Sequence, residues 1–131
     1  MAFDPHGKYD LSTQGQIIIV HAYQAWNLEC VEAFYEDYKA FVLKQKFKQF
    51  GALVDLRKFE GGTPEAIGSF GRISKWAYDN GQIARAQIIN SGLKAYTLKK
   101  PTEGKAVFTI QNFDDIPQAM AWLVSLGLSV D

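Results

Sequence analysis

The sequence predicts a single α/β domain with a mixed, mostly parallel sheet of four to six strands packed with three main helices. Three observations lead there. Short runs such as Ile17-Ile18-Ile19-Val20 are continuously apolar, the pattern of strands covered on both faces. Stretches with apolar residues at helical spacing lie between such runs, which calls for right-handed crossovers and parallel pairing. The chain has 131 residues, the length of one domain, with no internal repeat or low-complexity tract.

Taken in order, residues 1–7 are expected to be flexible. Lys8 to Gln14 alternates weakly through Tyr9 and Leu11 and reads as an edge strand. The turn Gln14-Gly15-Gln16 then leads into a buried strand from Ile17 to Tyr23, making a hairpin. Asn27 is suited to cap a helix, with Glu29 and Glu32 in its first turns, where the helix dipole favours anions. Leu28, Val31, Phe34, Tyr38, Phe41 and Val42 give that helix one apolar stripe, and Lys44, Lys46 and Lys48 crowd its far end.

Phe50 to Leu56 reads as a second buried strand, followed by a loop from Arg57 to Gly62. Thr63-Pro64-Glu65 supplies a cap, a proline at the first helical position and an acid in the first turn. The core face of this second helix is expected at Ile67, Phe70, Ile73 and Ala77, and Gly81 ends it in a left-handed conformation. Ile83 to Asn90 is a third buried strand. Leu93 to Leu98 fits either a strand or a broken helix, and Lys100 to Gly104 has loop chemistry. Ala106 to Ile110 is the last strand. Asp114 or Asp115 caps a final helix whose face is Ala119, Trp122, Leu123 and Leu126.

Composition narrows the function classes. The 14 basic and 14 acidic residues balance, which argues against a general nucleic-acid binder. No apolar run approaches a membrane span, and the N-terminus has no signal-peptide pattern, so a cytoplasmic location is expected. Cys30 is the one cysteine, which rules out an intramolecular disulfide. Its expected role is that of a small buried hydrophobe beside Glu29 and Glu32.

A catalytic nucleophile needs a base, yet the two histidines are His6 near the start and His21 within a strand, where a hydrogen-bonded structural role is expected. No ligand spacing for zinc or iron occurs, and no cofactor or enzymatic activity is expected. Asp55 stands at the carboxyl end of a buried strand, where open α/β sheets place ligands. With Arg57 and Lys58 following, a salt-bridged or turn-forming role is the simpler expectation. Gly61-Gly62-Thr63 leads into a helix and offers backbone N–H groups to an anion, or serves only as a turn and cap. Gly68 and Gly71 lie inside that helix at a cost of about 1 kcal/mol each against alanine. Lys44 to Phe50 mixes bases with aromatics but is explained by a helix C-terminus. Trp76 and Tyr78 are expected to be partly exposed.

The string Ala52-Leu-Val-Asp-Leu-Arg-Lys-Phe-Glu-Gly-Gly-Thr-Pro-Glu-Ala, then Trp76 and the strand from Ala84 to Asn90, resembles the STAS-like (SpoIIAA-like) family. The ending Phe113-Asp-Asp-Ile-Pro-Gln-Ala-Met-Ala-Trp-Leu is similar to that family's closing helix. The resemblance implies a fold related to anti-sigma-factor antagonists and to CRAL-TRIO lipid-binding folds. Phospho-switch members open the helix after the central strand with D-S-[ST]-G. Here that stretch is Thr63-Pro64-Glu65-Ala66, so proline stands at the serine position and Thr63 alone offers a hydroxyl.

These readings converge on a non-catalytic regulatory module. It is expected to bind a protein partner through Asp55, Arg57, Gly61, Gly62, Thr63, Gly68, Gly71, Arg72 and Trp76, with a homodimer left open. The alternative is a carrier or sensor for a small apolar or lipid-like ligand, held in a pocket lined by Phe70, Trp76 and Tyr78.

Overall fold

The structure, a computed structural model, describes residues 5–89 and 107–131. Strands β1 (Lys8–Gln14), β2 (Ile17–Trp26), β3 (Phe50–Gly62), β4 (Gln82–Ile88) and β5 (Thr109–Phe113) form one sheet in the order β1-β2-β3-β4-β5. β1 pairs with β2 antiparallel, and every other neighbouring pair is parallel. The expected mixed sheet is therefore present, with its antiparallel edge at the opening hairpin. The segment Leu93 to Leu98 and the loop Lys100 to Gly104 lie outside the described residues.

Helices α1 (Leu28–Gln45) and α2 (Pro64–Asp79) pack on one face of the sheet, and α3 (Ile116–Ser125) packs on the other. The alternation of β2 divides the core between them. Ile18, Val20 and Ala22 point to α1 and α2, while Ile17 and Ile19 point to α3. The three described helices start on the caps the sequence offers. The side chains of Asn27, Thr63 and Asp115 accept from the backbone N–H groups of Cys30, Ala66 and Gln118. Gly81, at φ +108°, closes α2 as expected. Cys30 is buried, and burial pushes its thiol pKa up to about 11, consistent with a packing role.

Three elements depart from the sequence expectation. β3 does not stop at Leu56 but continues through the expected loop to Gly62, because β2 also runs on to Trp26 and gives it a partner. Tyr23 pairs with Lys58, Gln24 with Phe59 and Trp26 with Gly62, across two register shifts. Phe59 turns inward and is buried, while Arg57, Lys58 and Glu60 face solvent. The last strand lies three residues later than expected, at Thr109–Phe113, because pairing with Ala84–Ile88 sets its span. Leu126 is not on the core face of α3. It follows the helix end and is exposed, and Leu128, beyond Gly127, packs inside instead.

Candidate functional site

Two places bring chemistry-bearing residues together. The first is the middle of β2 and β3, where His21 and Asp55 are paired in register just before the first register shift; because β3 runs on to Gly62, Asp55 does not stand at the strand's carboxyl end as expected. The buried Asp55 carboxylate accepts from Arg57 three times: Nε at 3.0 Å and the backbone N–H at 3.1 Å to Oδ1, and Nη2 at 2.7 Å to Oδ2. His21 Nδ1 stands 3.3 Å from Oδ2. Burial alone would raise the Asp55 pKa, but the Arg57 hydrogen bonds and charge, with His21, outweigh it and hold it below its ordinary 3.8.

Sequence reasoning expected Asp55 to be salt-bridged, and it is; His21 lies in a strand as expected, with its Nδ1 within ion-pair distance of Asp55. The cluster is closed on itself. Among the described residues no serine, threonine or cysteine hydroxyl or thiol bonds to His21. Nor do any three His, Cys, Asp or Glu side chains gather to hold a metal ion.

The depressed pKa has a consequence for stability. An unfolded Asp55 binds its proton at a higher pH than the folded one does. The stabilisation from this cluster is thus complete above about pH 4 and is lost as pH falls through the folded-state value. The Asp55→Asn variant should lose less stability than the wild type between pH 7 and pH 3. Urea midpoints across that range check this, and parallel curves would contradict it.

The second place is α2 and the space beneath it. Ala66, Ile73 and Ala77 are buried against the sheet, with Ile67 and Phe70 partly so. Gly68 and Gly71 lie on the outward side, both exposed, and a Cβ on either would meet nothing within 4 Å. Neither glycine is required by internal packing. The fold does account for Gly61 and Gly62: the first has φ +89°, and a Cβ on the second would lie 2.8 Å from the Trp26 carbonyl oxygen.

The Thr63 N–H donates to that same oxygen at 3.1 Å, so this backbone group is used within the fold. Arg72, also exposed, bridges to Glu32 of α1 and lies 5.3 Å from the centre of the Tyr35 ring. Trp76 is half-buried against the core, and Tyr78 is exposed. The sequence-derived candidates therefore fall into two groups: Asp55 and Arg57 belong to the first place, and the rest lie along or beside α2.

Between the sheet and α1 and α2 is a cavity of about 100 Å³. Its walls are mainly apolar and include Val20, Leu56, Trp26, Phe34, Phe59 and Phe70. Of the three side chains expected to line a pocket, Phe70 does, whereas Trp76 and Tyr78 do not line this one. Missed by sequence reasoning were the polar lining residues Ser74, Gln82, Arg85 and Gln87. The signal was present in the alternation Ala84-Arg85-Ala86-Gln87: the alanines face α3, while Arg85 and Gln87 line the cavity on the other face. Reading the strand simply as buried passed over it.

Similarity to known proteins is visible in structure. No protein-family model matches the sequence, and no curated protein does. Among solved structures, an uncharacterised protein of the DUF3478 family from Shewanella loihica PV-4, with a SpoIIAA-like fold, is similar over 94% of this chain and 98% of its own. The identity is 14% and the TM-score 0.69. The anti-sigma factor antagonist SpoIIAA, in its unphosphorylated form, matches over 92% of this chain and 98% of its own, at 9% identity and TM-score 0.55. A candidate anti-sigma factor antagonist from Thermotoga maritima matches over 88% and 94%, at 16% identity and TM-score 0.65. The chain has a SpoIIAA-like fold, as its motifs implied.

Proposed function

We propose that this protein is a non-catalytic regulatory module that docks a partner protein through the outward face of α2. The observation that carries this is the pair Gly68 and Gly71, which lower helix stability without serving any internal contact. A bare stretch of helix lets another backbone approach closely, so a surface outside the fold accounts for what the fold does not. The SpoIIAA-like fold, found also in proteins described as anti-sigma factor antagonists, supports a regulatory role. Among the described residues no helix is long and apolar enough to cross a membrane.

The premise is testable without the partner. Gly68→Ala and Gly71→Ala should each stabilise the protein by about 0.5–1 kcal/mol, raising Tm by roughly 2–5 °C. Thermal unfolding followed by circular dichroism reads this. A loss of stability would show that the fold itself needs the glycines and would remove the reason for assigning this face to a partner.

A second reading, a carrier or sensor for a small apolar ligand, is favoured by the cavity. Ile67, Phe70 and Ile73 of α2 line that cavity, so an occupant would press on the same helix that presents the outward face.

A further inference from the structure

We infer that the cavity beneath α2 takes a small amphiphile with a short apolar body and a single anionic head, and that the head sits at the Arg85 guanidinium. This rests on the ligand reading above and adds the chemical class of the ligand. Among the described residues, Arg85 is the only charged one in the cavity wall. Its Nη1 donates to Ser74 Oγ at 3.1 Å, and its guanidinium lies 5.4 Å from the centre of the Phe108 ring. Its Nε is buried without a hydrogen-bond partner, the one such side-chain atom among the described residues. No carboxylate among them forms a salt bridge with it.

The other polar groups of the wall have partners in the protein. Tyr38 Oη donates to Gln82 Oε1 at 2.9 Å, Gln82 Nε2 donates to the Ala84 carbonyl at 3.2 Å, and Gln87 Nε2 donates to Asn112 Oδ1 at 2.9 Å. The unmet demand in the cavity is thus a cationic donor. Removing water lowers the pKa of Arg85, an effect Tyr38 partly opposes, although a guanidinium stays protonated. Arg85 as a whole is partly buried, but a buried guanidinium N–H without a partner is costly, and a carboxylate or a similar oxyanion meets the flat guanidinium fork with two parallel hydrogen bonds. The apolar walls suit the rest of such a molecule. A volume of about 100 Å³ corresponds to roughly three waters and is somewhat smaller than a cavity known to hold benzene, which sets the body at a short chain or a single ring.

The test is titration of the purified protein with sodium hexanoate, hexan-1-ol and sodium acetate at matched ionic strength, read by calorimetry and by the shift in Tm. Hexanoate should bind at least tenfold more tightly than hexanol, acetate should bind weakly, and Arg85→Met should abolish the preference for hexanoate. Arg85→Met should also fold at least as stably as the wild type, since a methionine fits the apolar wall without an unpaired charge. If it does not fold, Arg85→Lys, which keeps the charge but not the fork, should weaken hexanoate while leaving hexanol unchanged. Equal affinity for hexanoate and hexanol would overturn the anionic head and leave the apolar-ligand reading standing. Binding of neither would overturn both.

Discussion

Replacing Trp26 with alanine should cost about 3–5 kcal/mol, a large part of the 5–15 kcal/mol that holds a domain of this kind folded. The indole is 3% exposed and sits at the meeting point of four elements. Its ring centre lies 5.6 Å from that of Tyr9 on β1, 5.4 Å from Phe34 on α1, 5.7 Å from Phe59 on β3 and 6.1 Å from Phe70 on α2. Its Nε1–H donates to the Tyr23 carbonyl at 2.9 Å. Trp26 also lines the cavity, so the void left by truncation would merge with space that is already empty. Neighbours that border a cavity have little means of collapsing into the gap, which favours the upper half of that range. The midpoint of urea unfolding measures the loss. A change below about 1 kcal/mol would mean that the aromatic cluster does not join the sheet to α1 and α2 as described.

On the opposite face, Leu123→Ala should cost about 2–5 kcal/mol, whereas Leu126→Ala should fall within about 0.5 kcal/mol of the wild type. Leu123 is fully buried among Ile17, Leu53, Ala84, Ala86, Ile88 and Leu128, and α3 is the one described helix on that side. Two of these neighbours are alanines, so the leucine supplies much of the apolar bulk that holds α3 on the sheet. Leu126 carries the same side chain three residues on but is 39% exposed. A comparison of the two variants by urea denaturation separates burial from hydrophobicity. Similar losses at both positions would contradict the placement of the chain after α3.

The difference between those two leucines also shows how far sequence reasoning reached. Spacing assigns both to the core face, and only the helix end just before Gly127 separates them. The fold class, the opening hairpin and the three helix caps were legible because each depends on local chemistry: apolar runs, a turn glycine, an Asn, Thr or Asp side chain before a helix. The extension of β3 to Gly62 was not legible, because charged Arg57, Lys58 and Glu60 become strand residues only when β2 runs alongside to Trp26. The start of β5 was obscured for a related reason, since its span is set by pairing with β4.

The candidate site was legible in part. Asp55, Arg57 and His21 were singled out individually, and their closure into one bonded cluster depends on pairing between β2 and β3. Gly68 and Gly71 stood out because glycine inside a helix contradicts local propensity. Arg85 did not stand out. One basic residue in an exposed strand and one in a cavity wall look alike in sequence, and only the packing of α1 and α2 over β4 tells them apart.

The most direct measurement of the central claim is quantitative cross-linking capture from a lysate of the source cell, with photoreactive groups on the outward face of α2. It would compare the wild type with the Gly68→Ala, Gly71→Ala double variant. The account predicts that one protein captured reproducibly by the wild type is lost from the variant, even though the variant is the more stable of the two. Equal capture by both proteins would contradict the assignment of this face to a partner.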